Sequence, residues 1–356
     1  MLKPDAVVLG AGLMGRLLAC ALARRGLRVE VFDAGGPEAE HAAARVAAAM
    51  LAPLAESAVT ELNVVRMGQY ALSRWPQLLA TLERPVFFQQ QGTLVLWHRQ
   101  DAAEAERLAG QLARTSAALP SLPQAQRLNA IGLTDLEPAL EHRFSQGLYL
   151  PDEGQLDNRE LLAALAHQMQ ELGVVVHWHT PRTPTEVDAG PGAWLFDCRG
   201  LGAQPQWNAL RGVRGEVARV HAPGVSLLRP TRLVHPRYPL YIAPKPGGLF
   251  VIGATEIESD DLSPASVRST LELLSAAYTV HPGFGEARIV ELGVQLRPTL
   301  ADNLPALRLT APRRMAINGL YRHGFMIAPA LLDAALELVD QDHSPLAEQL
   351  GLALIR

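Results

Sequence analysis

The chain has 356 residues, 48% of them hydrophobic, a formal net charge of −4 at pH 7 and an isoelectric point near 6.3. That is enough apolar material for two domains, or one large one, with a sizeable core. No basic run or stripe stands out, which excludes a general nucleic-acid binder, and two cysteines, Cys20 and Cys198, are too few for a disulfide framework and read as core thiols.

Residues 6–9 form a short apolar run suited to a buried parallel strand, and they lead directly into Gly10-Ala11-Gly12-Leu13-Met14-Gly15. A helix is expected from Leu13 to Ala23, closed by Arg24-Arg25-Gly26, followed by a second strand over 27–32 and Asp33 at its tip. Each part has a physical task. Gly10 permits the tight turn, Gly12 lets the backbone approach a pyrophosphate, and Gly15 lets the helix pack close to the sheet. The phosphates would lie on the helix N-terminus, with Leu13 and Met14 opening the helix, and Asp33 would accept hydrogen bonds from the adenosine ribose. Up to this point FAD and NAD fit equally well. The apolar start carries only Lys3 as a flanking charge, and its glycines and Arg16 fall where a nucleotide fold needs them. We therefore expect no export signal, no membrane span and a cytoplasmic protein.

A polar loop over 34–45 precedes Val46-Ala47-Ala48-Ala49-Met50-Leu51-Ala52-Pro53, whose small side chains suit either a planar cofactor, with Ala49 and Met50 against it, or a tight helix contact. Residues 60–82 read as an amphipathic helix with a break near Trp75-Pro76, 86–97 as a strand pair or bulged strand around Gly92, and 102–118 as a solvated helix. A short strand over 147–151 leads to a helix over 158–172, with Asp157 or Asn158 as N-cap. Strands over 173–178 and 194–198 should return to the first sheet, the latter ending in Arg199-Gly200-Leu201-Gly202. Two glycine-rich strand exits, with Gly200 and Gly202 at the second, can then face one ligand. His177 and His179 share a strand face but have no third ligand at suitable spacing, so no metal site is expected. Beyond residue 214 the texture changes to short strands and turns. Residues 238–244 and 249–254 form a hairpin around Lys245-Pro246-Gly247-Gly248, a helix over 263–278 is capped by Ser263 with Pro264 at its first position, and a strand over 286–296 delivers Arg297. Residues 315–319 then pass through Tyr321-Arg322-His323-Gly324 into a buried helix over 325–339.

Taken together these segments resemble the D-amino-acid oxidase family of FAD enzymes, and most closely its glycine oxidase branch of the thiamine-biosynthesis type. The resemblance spans nearly the whole chain. It rests on the N-terminal fingerprint with Asp33, the small-residue segment 48–53, Val213-Arg214-Gly215-Glu216, Tyr241-Ile242-Ala243-Pro244 with Val251-Ile252-Gly253-Ala254-Thr255, Leu296-Arg297-Pro298, and the C-terminal box from Gly319 to Ala330. It implies an α/β fold. A Rossmann-like FAD-binding domain of the GR2 type, made of 1–80, 145–210 and 297–356, would be interleaved with an α+β substrate domain, 81–144 and 211–296, built on an antiparallel sheet. It also implies roles. Arg297 would clamp the substrate carboxylate, Tyr241 would line the substrate pocket, and Arg322, His323, Gly324, Phe325 and Met326 would close the FAD site, with His323 able to titrate near the ring. The family's hairpin is shortened here at 180–193. No cysteine lies near the box to tether a flavin, so FAD is expected to be noncovalent.

The chemistry that follows is hydride transfer from the Cα of a neutral amine to the flavin, hydrolysis of the imine, and reoxidation by oxygen with release of hydrogen peroxide, or by another acceptor. The leading expectation is oxidative deamination of glycine or another small amino acid. Two alternatives remain beside it: a dehydrogenase or modifying enzyme acting on a larger amine or a partner protein, and a flavoprotein subunit without turnover. A homo-oligomer is compatible with all three. The same residues also suit plainer roles, Arg297 as a structural ion pair, Tyr241 as a strand aromatic and Arg322 as a helix-start contact.

Overall fold

The computed structural model describes residues 3–234 and 240–356. Its first sheet has seven strands, and the apolar run at the start of the chain lies at its centre. Strand β1 (Ala6–Leu9) is fully buried and pairs in parallel with β2 (Val29–Phe32) on one side and with Trp194–Asp197 on the other. Arg314–Asn318 extends the parallel set beyond Trp194–Asp197, Val175–His177 extends it beyond β2, and Ala306–Ala311 and Ala353–Ile355 complete one edge. A strand buried on both faces needs apolar residues throughout, and Ala-Val-Val-Leu supplies them. Helix α1 (Leu13–Arg24) packs on one face with helices Asn158–Glu171, Leu62–Leu79 and Gly324–Gln341. The other face is covered by Val187, Ala189 and Ala193 of the segment 180–193, which contains no strand.

The second sheet has eight strands in the order Arg288–Thr299, Arg211–His221, Leu249–Gly253, Leu240–Lys245, Thr231–Leu233, Thr93–Leu96, Gln146–Leu150 and Gln126–Asn129. It is not wholly antiparallel as expected: Thr231–Leu233 pairs in parallel with Thr93–Leu96. Helix Val267–Val280 covers this sheet over a separate apolar core. A third sheet of three short strands, Met50–Leu51, Gly154–Leu156 and Phe88–Gln89, completes the strand set.

Local differences from the sequence expectations have physical causes. The helix over 263–278 begins later, at Val267, because Ser266 rather than Ser263 caps it by accepting from Ser269 N–H. Ser263 is instead engaged by the Asp261 carboxylate, and the Pro264 carbonyl accepts from Arg214. No break occurs at Trp75-Pro76; helix Leu62–Leu79 runs through it and ends three residues later, anchored by Trp75 Nε1 donating to the Phe325 carbonyl at 2.9 Å. Residues 86–97 form two strands in different sheets, Phe88–Gln89 and Thr93–Leu96. Asp157 caps its helix as expected, accepting from Arg159 and Glu160 N–H. The hairpin turns at Pro246–Gly248 as expected, while its first residues, Tyr238 and Pro239, lie outside the described residues.

Candidate active site

A cavity of about 900 Å³ runs from the carboxyl ends of the parallel strands to the face of the eight-stranded sheet. One end is the glycine motif. Gly10 has φ +90°, and a Cβ on Gly15 would sit 1.8 Å from the Gly10 carbonyl oxygen, so this turn and helix can meet only as glycines. Gly12 precedes α1 without a side-chain cap, which leaves the first N–H groups of the helix open to the cavity. Buried Arg16 locks the turn by donating to the carbonyls of Ala11 (2.6 Å), Leu162 (2.6 Å) and Pro37 (3.0 Å). Asp33 accepts from Ala11 N–H and Gly35 N–H and lines the cavity. Leu13, Met14, Gly200 and Gly202 line the same end, and Cys198 joins them with its thiol pKa raised by burial, which keeps it protonated.

The segment 44–50 forms one wall, and a polar network missed at the sequence level holds it. Asn158 Nδ2 donates to the carbonyls of Ala44 (2.9 Å) and Arg45 (2.7 Å), and Leu156 N–H donates to the Ala49 carbonyl (3.1 Å). Buried Lys245 donates to the carbonyls of Ala48 (2.8 Å) and Leu156 (2.7 Å) and to Gln155 Oε1 (3.1 Å), while burial pushes its ammonium pKa down to about 7. Ala49 has φ +53°, and Ala49 and Met50 both face the cavity.

At the other end lie Arg297, Tyr241, Arg322 and His323. The half-buried Arg297 guanidinium donates to the Thr255 carbonyl at 2.9 Å and to the Arg214 carbonyl at 3.4 Å, and among the described residues no carboxylate pairs with it. Burial pushes its pKa down. Two glycines on neighbouring strands make room here: a Cβ on Gly215 would lie 2.4 Å from Arg297 Nη2, and one on Gly253 would lie 2.8 Å from Tyr241 Oη. Such glycines inside strands are a sequence signal for a close approach. Burial raises the Tyr241 pKa, so its phenol stays protonated.

Arg322 is differently placed. It meets Glu56 at 3.2 Å and Glu256 at 2.5 Å, so its charge is already shared between two carboxylates. Glu56 also pairs with Arg232 at 2.6 Å and lies 3.5 Å from His323 Nδ1. Burial opposes the Glu56 charge, but Arg322, Arg232 and His323 outweigh it and hold the carboxyl below the usual range. The resemblance makes His323 able to titrate near the ring. Burial instead pushes its imidazole down to about 4, which leaves it neutral at physiological pH. Behind Arg232, burial raises the Glu153 carboxyl to about 7. Glu56, Glu256 and Arg232 had no signal in the sequence, because they come from three distant segments that meet only in the fold. Gly324, Phe325 and Met326 begin helix Gly324–Gln341, whose N-terminus has no side-chain cap and faces the cavity. Of the two histidines weighed for a metal, His177 contacts Glu30 at 2.7 Å and His179 packs against Gly36.

A glycine turn at the carboxyl end of a central parallel strand, joined by one cavity to the face of a second sheet, is the arrangement of a dinucleotide-binding enzyme. Residues 5–335 match the family of FAD dependent oxidoreductases called DAO, and the chain belongs to it. It is an FAD-dependent oxidoreductase. Over 346 residues it is 38% identical to a Rhizobium etli protein assigned as the thiamine biosynthesis oxidoreductase ThiO, covering 95% of this chain and 98% of that one. It is 26% identical over 364 residues to a glycine oxidase of Geobacillus kaustophilus, covering 95% and 93%. In fold it is similar to the crystal structure of glycine oxidase from Geobacillus kaustophilus, with a TM-score of 0.80 at 23% identity over 97% and 96% of the two chains. It is also similar to iminodiacetate oxidase from Chelativorans, with a TM-score of 0.81 at 20% identity over 99% and 100%.

The residues present fit FAD. The uncapped start of α1 leaves its N–H groups open to the cavity, the Gly10–Gly15 contact admits no Cβ, and Asp33 suits an unphosphorylated ribose. Gly15→Ala is expected to weaken FAD binding by about tenfold or more, read as the ratio of flavin to protein absorbance after purification; a variant that retains stoichiometric flavin would contradict this fit.

Proposed function

We propose that this oxidoreductase oxidises glycine or another small amino acid carrying a CH–NH group, and that Arg297 holds the substrate carboxylate. The observation that carries the reading is Arg297 itself: a half-buried guanidinium on the cavity wall, bonded among the described residues only to carbonyl oxygens, beside a protonated tyrosine. A bidentate guanidinium fixes the direction of a carboxylate as well as its charge, and a Tyr241 hydroxyl adds a donor. Bound FAD supplies hydride acceptance at its N5 position. The chain contributes orientation and electrostatics around that step. Gly10, Gly12, Leu13, Met14 and Gly15 would hold the pyrophosphate, and Asp33 the ribose. Ala49, Met50, Gly200, Gly202 and residues 323–326 would bound the rest of the cofactor without a covalent link. Arg322, pinned by Glu56 and Glu256, would act as a fixed charge near the ring, and the uncapped helix start at Gly324 would favour partial negative charge on it. This assignment carries with it reoxidation by oxygen, release of hydrogen peroxide, the two interleaved domains expected from the sequence, and residence in the cytoplasm. Among the described residues no helix is long and apolar enough to cross a membrane.

The names of the relatives above support amine oxidation. The test is anaerobic: glycine, sarcosine, D-alanine and D-proline are added in turn to the purified holoenzyme while the flavin band near roughly 450 nm is followed. Bleaching by at least one is the expected result. A yellow protein that none of them bleaches would reject the small-amino-acid reading.

A further inference from the structure

Among the described residues, three guanidiniums face the end of the cavity where Tyr241 stands: Arg232, Arg297 and Arg322. Two are taken. Arg232 is held by Glu56, and Arg322 by Glu56 and Glu256 together. The two carboxylates differ in position. Glu56 is buried, with 11% of its side-chain surface exposed, whereas Glu256 is 38% exposed and lies on the cavity wall. It is also tied into the site through its neighbour, since Thr255, the residue before it, offers its carbonyl to Arg297.

We propose that Glu256 is a specificity-determining residue: by occupying Arg322 it leaves Arg297 as the one guanidinium among the described residues at this end for a substrate carboxylate, so the site selects amines with a single carboxylate against those with two. The inference rests on the amine-oxidation reading above. A second carboxylate directed at Arg322 must either displace Glu256 or lie beside it, and like charges at that distance oppose binding. A neutral residue at position 256 removes that opposition and frees an Arg322 donor. The geometry therefore builds selectivity from repulsion as well as from attraction.

The test compares ligands that differ by the second carboxylate group. Methoxyacetate and oxydiacetate are ethers with one and two carboxylates and no amine to oxidise. Their dissociation constants are measured by calorimetry on FAD-loaded wild type, Glu256→Gln and Glu256→Met, and the ratio of the two constants is the readout. In parallel, kcat/KM is measured for sarcosine and iminodiacetate, the corresponding amines. Removing the charge is expected to shift both ratios toward the dicarboxylate by about tenfold. Unchanged ratios in both variants, with FAD content retained, would overturn the role of Glu256. If no amine reduces the flavin of the wild type while the ether ratio still shifts, the amine reading fails and the charge selection by Glu256 stands.

Discussion

Arg297→Ala is expected to lower kcat/KM for the amino acid that reduces the flavin by about a thousandfold, or about 4 kcal/mol of transition-state binding. The loss should fall mainly on KM, because a carboxylate clamp holds substrate and transition state alike. Two features make the effect large. The guanidinium is half-buried and its remaining bonds go to the Thr255 and Arg214 carbonyls, so the substrate would supply its only anionic partner among the described residues. Gly215 beneath it has no side chain of its own to fill the space left when Arg297 is shortened. Arg297→Lys should recover little, since a lysine ammonium keeps the charge and loses the planar fork. Stopped-flow reduction under anaerobic conditions separates the two parameters. An alanine variant whose apparent affinity stays within about threefold of wild type would remove Arg297 from the carboxylate site.

The second large effect concerns acid. Burial holds the His323 pKa at about 4 against an ordinary 6.5, so between these values the unfolded chain takes up a proton that the folded chain refuses. Falling pH therefore favours unfolding across that window, by about 3 kcal/mol in all. Glu56 acts in the same direction lower down: its folded pKa is depressed, so its contribution is complete above 4.5 and is lost as pH falls below that. Glu153 acts oppositely. Its raised pKa of about 7 makes the folded chain bind the extra proton between 4.5 and 7, so its contribution is lost as pH rises through that range. The two buried groups offset each other in the wild type, and the effect of His323 is read as a difference. His323→Asn should gain about 3 kcal/mol relative to wild type on going from pH 7 to pH 4, in urea unfolding of the holoenzyme. Parallel pH profiles for the two proteins would contradict a neutral, buried His323.

The elements most legible in the sequence were those where backbone geometry dictates residue type. Gly10 and Gly15 have no substitutes at their contact, and an apolar strand before them and an acid at the next strand tip leave one reading of residues 5–33. Arg297 and Tyr241 were visible through the motifs around them, and the structure brings both to the cavity. The charge cluster behind them was not visible. Glu56 sits after a run of small residues, Glu256 after a strand end and Arg232 inside a three-residue strand, and nothing local distinguishes them from solvated charges. The helix start at Ser266 was misread for a related reason, since the serine nearest Pro264 was claimed by an aspartate that sequence spacing alone does not rank above a cap. The parallel pair inside the second sheet was equally hidden, because strand direction depends on how a distant segment returns.

The cavity wall is assembled from residues 10–56, 181–204, 215–262 and 295–326. A ribosome makes the glycine turn at residues 10–15 long before residues 295–326, and the central strand β1 waits equally long for Arg314–Asn318 to extend its sheet on one side. The cavity is thus complete only after its last lining segment, residues 295–326, has been made. Pairings between segments far apart in a sequence are slow to form, so the glycine turn stays open to solvent while the residues between these segments are made.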